Sequence, residues 1–587
     1  MTYTGSYGDL GATTAAILLD PEARSLAADA DPTIGALREP FLKLIHLMRA
    51  MEYAPAGGKE VEFVSLDTSI GMQAFRSPSV FSFFLPEYEP LGAISSVGLV
   101  SPESMLATGP LIIGALNAMT SLVHNGLTDC GEGVGSTSRG SRCTGSSDDV
   151  RREADGTLTF RPSGSTPEEV VEELDLLLTS GRLSVRNRRV ILRRYKETLA
   201  ATGSAEEALR AAQELFLLAP EFHSTNDNPL RQSTREEEGI AQSGGRPYKA
   251  IVYVFLQGGC DSYNVLVPLD GCRASVGDLF ESYKTVRGAV ALDKEYFVPI
   301  NATGSGQVCE RFGVHPSLPT LISEYEAGDA AFIANMGPLI EPTSKGLDAT
   351  RDKTRKAKKP PGLFAHNVQQ KVVQNMHPQE TSSAKGVLGR MLSALSGRMS
   401  ESGPAPQPPY KTQSYSASGN AKVLEGGPRP KMIPSSGAAL QLTRHADLRH
   451  EIANLTRFES SSVFAETQAA LVQESIADSI SLKSALSGST NSYFGGALGK
   501  QMGQISKVIA AQTRGELDEE RSTFFASLGA FDTHNYPLSE GKLNQVLLTH
   551  SIARTLPLGS VRICSGSCAH AAPCSHAQPP IWKSHSD

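Results

Sequence analysis

The sequence lacks the features that would place the chain in a membrane, on a nucleic acid or in a disulfide-rich class. Its most apolar run, Leu111 to Val123, is shorter than a membrane span and is interrupted by Gly114, Asn117 and Thr120. A formal net charge of −7 over 587 residues argues against a general nucleic-acid binder. Eight cysteines are too few for a disulfide scaffold. The remaining composition, 40% hydrophobic and 20% charged, predicts a soluble globular protein of two or more domains.

The first residues, MTYTGSYGDLG, also lack a basic segment and an apolar core. No signal peptide is therefore readable, and the compartment stays open. Cys130 and Cys143 lie in a Gly/Ser-rich loop, where a disulfide can form under oxidising conditions. Asn301 and Asn454 begin glycosylation sequons, which have meaning only in a secreted chain.

The character of the chain changes near residue 223. Residues 1–222 are predicted to form a mostly helical domain, because apolar residues recur there at helical spacing. Within this domain, the Gly/Ser/Arg-rich stretch 130–165 is predicted to be a mobile insertion. Residues 223–247 have no apolar periodicity and are interpreted as a linker. The predicted helices are Leu10 to Ala28, Leu37 to Met51, Ser101 to Val123, Pro167 to Leu178 and Ser204 to Leu218.

The most informative stretch is Lys249 to Asn264, with the sequence KAIVYVFLQGGCDSYN. Its continuous apolar run predicts a strand buried on both faces, which ends at a glycine pair where the backbone can turn. Asp261 follows at once. Ligands of open α/β sheets bind beyond the carboxyl ends of the strands, so Asp261 is a candidate metal ligand. The alternative interpretation is that Asp261 caps the following turn or helix.

From residue 248 onwards, predicted strands alternate with predicted helices. Asp329 to Met336 is predicted to be a second buried strand, ending at Gly337, and Thr523 to Leu528 a third. The third strand is followed by the sequence GAFDTHN, which contains Asp532 and His534. If the strands are parallel, all three ends lie on the ligand-facing edge of one sheet.

The order of motifs in the first 222 residues resembles a known family. The motifs are AAILLDPEAR, LREPFLKL, RSPSVFSFFLPEY, GLVSPE, LDLLLTSGRLS and ALRAAQELFLLAPEF. In this order they are similar to the C-terminal half of the bacterial family called domain of unknown function 1800. The resemblance implies a helical fold and no particular activity.

Residues 248–550 resemble a second bacterial family, domain of unknown function 1501, through GGCDSYNVLVP, GVHPSL, FIANMG, PLIEPTSK, LFAHN and LGAFDTH. This resemblance implies membership of the alkaline phosphatase and sulfatase superfamily, whose members are typically exported. The implied fold class is α/β: a helical N-terminal domain, then an incomplete doubly wound alkaline phosphatase/sulfatase-like domain over 248–556.

The second resemblance also implies a site for a divalent metal ion such as zinc, manganese, magnesium or calcium. Asp261, Asp532 and His534 match family positions that look like ligands, and Asn264 lies nearby. Asp532 and His534 share one face if their segment is extended, so both can reach one ion. The alternative is a turn in which the aspartate caps and the histidine is exposed.

The nucleophile of the implied reaction is less well matched. The resembled family usually has Ser-His where this chain has Ala365-His366, so the hydroxyl is missing. Thr343 and Ser344 are the substitute hydroxyl candidates. His366 can bind the metal or donate to an anion, although a lone histidine is more often structural.

The C-terminal part departs further from the resembled family. Its Ser-Glu-Phe-Gly-Arg and Asp-His-Gly segments have no counterpart, and residues 557–587 are predicted to be a disordered tail whose Cys/His spacing fits no standard zinc site. The sequence therefore predicts a metal-dependent hydrolase of phosphate or sulfate esters, on a small molecule or a polysaccharide, impaired by truncation. The alternative is a non-catalytic binding or structural protein, a truncated fusion of two families.

Overall fold

The structure is a computed structural model, and its described residues divide into two compact units. The first unit comprises residues 1–239 and 439–481, and the second comprises 240–438 and 482–587. Helices and a parallel sheet make the chain a mixed α/β protein. The structure describes residues 6–58, 60–78, 82–136, 143, 147–227, 229–235, 243–258, 262–334, 336–341, 358–362, 365–380, 384–397, 409–488, 495–529, 531 and 563–566.

The helices are numbered here in chain order. They are α1 (Leu10–Leu19), α2 (Pro21–Arg24), α3 (Leu26–Ala30), α4 (Pro40–Ala50), α5 (Leu66–Ser69), α6 (Ala93–Ser96), α7 (Gly109–Asn125), α8 (Ser147–Glu153), α9 (Pro167–Thr179), α10 (Val185–Thr202), α11 (Ala205–Leu218), α12 (Pro220–His223), α13 (Leu279–Arg287), α14 (Pro319–Glu326), α15 (His366–Asn375), α16 (Val387–Leu395), α17 (His445–Thr456), α18 (Val463–Ala485) and α19 (Gly496–Thr513).

The strands are short in the first unit and longer in the second. They are β1 (Tyr53–Pro55), β2 (Gly156–Leu158), β3 (Leu230–Thr234), β4 (Lys249–Leu256), β5 (Leu266–Asp270), β6 (Val298–Asn301), β7 (Arg311–Val314), β8 (Thr412–Ser416), β9 (Lys431–Met432), β10 (Phe458–Ser460), β11 (Arg521–Leu528) and β12 (Ile563–Gly566).

The first unit is built around a helical core in which α7, α9 and α11 bury their apolar faces. Leu116, Leu174 and Leu215 are at most 1% exposed and belong to one apolar cluster. The boundaries follow local chemistry. A reciprocal capping box starts α9, where the Glu169 carboxylate accepts from the Thr166 amide and the Glu169 amide donates to the Thr166 hydroxyl. The predicted helices over 167–178 and 204–218 are present as α9 and α11.

Two of the predicted helices are interrupted. The segment from Leu10 to Ala28 is three short helices, because Asp20 caps a new helix that has Pro21 at its first position. A 3₁₀ turn covers Pro102–Leu106, and the long helix α7 begins only at Gly109. Within α7, Gly114 lies so close to α5 that a Cβ atom there would be 2.2 Å from the Ser69 carbonyl oxygen.

Parts of the predicted insertion and of the predicted linker are folded. In 130–165, the helix α8 is followed by β2, which pairs antiparallel with β1. In 223–247, β3 pairs with β10, and the next residue, Arg235, forms a bidentate ion pair with Glu466. Both stretches contain many polar residues, but each is held in place by backbone pairing with a distant segment. Local composition does not reveal such pairing. Residues 439–481, which the sequence-based boundaries assign to the C-terminal domain, belong to the first unit.

The second unit contains a five-stranded parallel sheet with the order β12-β4-β11-β8-β9. The predicted strands over 251–256 and 523–528 are present as its central pair, β4 and β11. Phe255 and Phe525, one from each strand, belong to an apolar cluster with Val373 of α15 and Leu388 of α16. Helices therefore cover the sheet, as its apolar strands require.

The predicted strand from Asp329 to Met336 is wrong. The described residues of this segment form no strand, and Ile333 and Met336 are 58% and 38% exposed. The second neighbour of β11, beside β4, is instead β8. An apolar run predicts burial, but strand pairing depends on which segments the rest of the fold brings alongside. Gly337 accordingly does not follow a sheet strand.

Within the predicted disordered tail 557–587, residues 563–566 form β12, which pairs in parallel with β4. The rest of the tail lies outside the described residues. A separate antiparallel sheet with the order β5-β7-β6 follows β4 in the chain. A disulfide between Cys272 and Cys309, which the sequence analysis did not predict, joins the segments flanking this sheet.

One buried carboxylate, that of Glu520, hydrogen-bonds to residues at the amino ends of the neighbouring strands β4 and β8. Glu520, just before β11, is 1% exposed and accepts from the Arg246 guanidinium at 2.7 Å and 3.1 Å. It also accepts from the backbone amides of Arg246 and Lys411. These contacts, above all the Arg246 hydrogen bonds, lower the pKa of Glu520 to about 2.

Replacement of Glu520 by glutamine is expected to destabilise the second unit by roughly 2 kcal/mol at neutral pH. The pKa of Glu520 is lower in the folded chain than its unfolded value of 4.5, so its carboxylate stabilises the folded state fully above pH 4.5. This contribution is lost as the pH falls from 4.5 towards 2. Urea unfolding of wild type and Glu520→Gln at several pH values checks this. Asp518→Asn, which alters an exposed carboxylate in the same loop, serves as the control. Equal midpoints for Glu520→Gln and wild type at neutral pH would contradict the assignment.

Candidate functional site at the carboxyl ends of the central strands

The carboxyl ends of β4 and β11 lie side by side in the second unit. The two strands run parallel and in register from Lys249 opposite Arg521 to Leu256 opposite Leu528. Beyond the strands, the chains remain hydrogen-bonded: the Gln257 amide donates to the Leu528 carbonyl at 2.8 Å, and the Phe531 amide donates to the Gln257 carbonyl at 3.2 Å. The loops that follow both strands therefore start from the same place.

A polar cluster lines this edge of the sheet, and the sequence analysis did not find it. The Ser527 hydroxyl contacts the Ser418 hydroxyl at 2.6 Å and accepts from Gln257 Nε2 at 3.2 Å. The Gln501 side chain holds the Ser527 backbone by accepting from its amide at 3.1 Å and donating to its carbonyl at 3.0 Å. Ser418 follows β8, so three adjacent strands contribute to this edge. Isolated serines in the sequence carry no signal for this, because it depends on strand order.

The predicted turn after β4 begins at Gly258, whose φ of 113° lies in the region that favours glycine. Asp261 comes five residues after Leu256, and Asp532 comes four residues after Leu528. Asp261, Asp532 and His534 themselves lie outside the described residues. The strands from which they extend are adjacent and parallel, and the predicted metal site at these three residues stays a prediction.

Asn264 lies in a short 3₁₀ helix after β4 and is 1% exposed. Its Oδ1 accepts from the Tyr283 hydroxyl at 2.7 Å, and its Nδ2 donates to the Val290 carbonyl at 3.1 Å. These contacts fix the loop that leaves the site. A carboxamide oxygen has two lone pairs, so one remains for a further partner.

His366 is the first residue of α15, and its side chain is exposed. The same helix places Val373 in the apolar cluster with Phe255 and Phe525. His366 is therefore about two turns from the residue that contacts the sheet. The two hydroxyl candidates, Thr343 and Ser344, lie outside the described residues.

Among the described residues, one group has the proximity expected of metal ligands. Ligand atoms of Asp129, Cys130 and Cys143 lie within 4.8 Å of one another. Cys130 and Cys143 form a disulfide, as the sequence permits, so neither offers the thiolate that a metal requires. This group is a cystine beside a carboxylate and not a metal centre.

Comparison with known proteins bears on the N-terminal part of the chain. A family model described as a protein of unknown function (DUF1800) matches residues 1–224, which confirms the resemblance found there from motif order. No curated protein and no solved structure matches the chain. The resemblance of residues 248–550 to domain of unknown function 1501 stays a prediction. In the part of the chain that the structure describes, no helix has the length and apolarity needed to cross a membrane.

Proposed function

We propose that the second unit binds a divalent cation beyond the carboxyl ends of β4 and β11 and is a metal-dependent hydrolase of phosphate or sulfate esters. We further infer an alkaline phosphatase/sulfatase-like fold for this unit from its motifs. The observation that supports the site is the parallel register of β4 and β11, which brings the starts of the Asp261 and Asp532 loops together. Ligands of parallel sheets gather at this edge.

The donor set fits such an ion. Two carboxylates and an imidazole, from Asp261, Asp532 and His534, are ligand types that zinc or manganese accepts, and carboxylates alone suit magnesium or calcium. A bound ion of this kind polarises an ester oxygen and stabilises the developing negative charge. The firmly held Asn264 would fix the path of the Asp261 loop next to it.

We expect turnover to be slow. Ala365 offers no hydroxyl at the position where the resembled family has serine, which leaves Thr343 and Ser344 as the nucleophile candidates. A small ester or a polysaccharide ester is the proposed substrate class. The same alanine favours a second candidate function, namely a metal-binding protein without catalysis.

Stoichiometric binding of manganese or zinc by the full chain is expected, and Asp261→Ala and Asp532→Ala are each expected to weaken it at least tenfold. Removing one charged ligand from a site of three donors removes a large part of the attraction for the ion. Isothermal titration with each metal alone measures this. Hydrolysis of 4-nitrophenyl phosphate and 4-nitrophenyl sulfate by the metal-loaded chain then tests the activity.

The matched control is Asp518→Asn, because Asp518 precedes the same strand at its opposite end. This variant should bind metal as wild type does. Metal binding without ester hydrolysis would favour the non-catalytic function. Absence of binding, or equal binding by wild type and both alanine variants, would refute the proposed site.

A further inference from the structure

The hydroxyl groups of Ser418 and Ser527 form a pair at the carboxyl edge of the parallel sheet. Ser527 is the last residue but one of β11, and Ser418 lies two residues beyond the end of β8. Gln257, the residue that follows β4, donates to the Ser527 hydroxyl from Nε2 at 3.2 Å. The two hydroxyl oxygens are 2.6 Å apart. One polar group from each of three adjacent strands therefore lies at the edge where the Asp261 and Asp532 loops begin.

The hydrogen bonds of this cluster have a direction, because the number of protons is limited. The Gln257 side-chain nitrogen can only donate, so the Ser527 oxygen is the acceptor there. Each hydroxyl has one proton, and either serine can donate in the contact between the two. In the part of the chain that the structure describes, no other group bonds either hydroxyl. One of the two protons is therefore left for a further partner.

Burial decides which of the two protons is left. Ser527 is 7% exposed, whereas Ser418 is only half-buried. A buried hydroxyl proton without an acceptor costs free energy, so Ser527 uses its proton on the Ser418 oxygen. The Ser418 hydroxyl is thus the end of a donor chain that starts at Gln257. Successive donation polarises each hydroxyl in such a chain, which makes the last one a stronger donor.

Further hydrogen bonds hold the backbone of both serines in place. The Gln501 side chain, from α19, accepts from the Ser527 amide and donates to its carbonyl. The Ser416 hydroxyl accepts from the Ser418 amide at 3.3 Å and donates to the Gly419 carbonyl. Gly419 has a φ of 66°, which lets the chain turn directly after Ser418. The Ser418 hydroxyl is therefore preorganised, so a ligand that meets it does not have to order the loop.

A polarised hydroxyl at this position suits a negatively charged oxygen. Hydrogen bonds to ionised acceptors are stronger than those to neutral ones, and donation by the preceding groups strengthens them further. The donor chain also adjoins both loops of the proposed metal site, since Gln257 lies four residues before Asp261 and Ser527 lies five before Asp532. The phosphate or sulfate esters proposed as substrates carry anionic oxygens next to the reacting phosphorus or sulfur atom.

We propose that Ser418 is a substrate-binding residue, whose hydroxyl donates to a non-bridging oxygen of the phosphate or sulfate group. Ser527 and Gln257 are positioning residues, because they act through the Ser418 hydroxyl. This inference rests on the function proposed above and adds a hydrogen-bond donor from the protein to it. No bond to Ser418 is made or broken in this role.

Titration of the manganese-loaded full chain with inorganic phosphate and, separately, with sulfate measures this donor. Ser418→Ala is expected to weaken the binding of at least one of the two anions about tenfold, the loss expected for one hydrogen bond to a charged group. The anion that is affected identifies the class of ester. Ser418→Thr, which keeps the hydroxyl, should bind as wild type does. Ser527→Ala should weaken binding severalfold, because the Ser418 hydroxyl loses the group that directs it.

Ser414→Ala is the matched control. Ser414 and Thr523 form the same kind of hydroxyl pair between β8 and β11, with the oxygens 3.2 Å apart, but Ser414 is fully buried within the sheet. Its replacement should lower the midpoint of urea unfolding and leave anion binding unchanged. Equal weakening of anion binding in Ser414→Ala and Ser418→Ala would show that Ser418 is structural only and would overturn the proposal.

Metal titration of the same variants separates this inference from the function on which it rests. Ser418→Ala should bind manganese as wild type does. Intact metal binding, combined with no anion binding by wild type or with equal anion binding by wild type and Ser418→Ala, overturns the role of Ser418 alone. A wild-type chain that binds no metal refutes the proposed function, and the role of Ser418 fails with it.

Discussion

The first unit is expected to become more stable as the pH is raised from 7 to 10, and Lys43→Met is expected to remove this dependence. Burial lowers the pKa of Lys43 to about 7 in the folded chain, against the ordinary lysine value of 10.5. Between these values the unfolded chain binds a proton that the folded chain does not. Stability therefore rises with pH by roughly 1.4 kcal/mol per unit, or about 4 kcal/mol by pH 10.

Below pH 7 the amine is protonated in both states, so the full penalty of burying its charge applies there. Hydrogen exchange of residues 40–50, which form α4, reports on this unit alone. Lys196→Met provides the control, because Lys196 is half-exposed. The pH dependence of stability is compared after the ordinary titration of other groups is subtracted. If wild type then shows as little dependence as Lys43→Met, Lys43 is more hydrated than its burial indicates.

Loss of the Cys272–Cys309 disulfide is expected to destabilise the small sheet of the second unit by about 4 kcal/mol, the loop-entropy value for a bridge of this length. The bridge closes a loop of 37 residues that contains all of α13 and β6. Cys309 is 2% exposed and belongs to the same apolar cluster as Phe312, Val314 and Ile322. Opening the bridge therefore loosens both the loop and its core.

The double variant Cys272→Ser/Cys309→Ser, compared with wild type by denaturant unfolding and by hydrogen exchange over β6 and β7, measures this loss. Dithiothreitol should reproduce the effect in wild type and leave the variant unchanged in these strands. The shorter Cys130–Cys143 bridge, which spans 13 residues in the first unit, should contribute about 1 kcal/mol less in the same loop model. Wild-type exchange rates in the double variant would contradict a stabilising role.

Local signals in the sequence were sufficient for the elements that carry them. The apolar run before Gly258 and the run from Thr523 to Leu528 are the two central strands, and the Thr166/Glu169 capping box marks α9. These features depend on neighbouring residues in the chain. The helical N-terminal part could also be assigned by resemblance, because its motifs occur in a fixed order.

Features that depend on distant segments could not be predicted in the same way. The segment Asp329 to Met336 has the composition of a buried strand, but β8 takes the position beside β11. The partners Cys272 and Cys309 are 37 residues apart, with nothing in the local pattern to pair them. The Ser527–Ser418 contact likewise requires the strand order.

The buried lysine illustrates a conflict between two local signals. Lys43 and Leu47 are four residues apart and so share one face of α4, which predicts that both are buried. Residue type argues the opposite, because lysine is rarely buried unless it is paired. The conflict marks Lys43 as a residue to examine, although the neighbouring Arg38 and His223 become visible only when residues 37 and 224 are paired.

The division of the first unit between residues 1–239 and 439–481 affects how the chain is made on the ribosome. Its N-terminal portion is synthesised well before α17 and α18, which supply Leu448, Leu455 and Val472 to the shared apolar cluster. Until these helices emerge, the nascent domain exposes apolar surface that attracts chaperones or promotes aggregation. About 200 residues separate the two portions of this unit in the sequence. Bringing the portions together across this long loop costs only slightly more entropy than closing a shorter loop, but it slows the search for native contacts. The region matched by the family model therefore lacks part of the core that it uses in this chain.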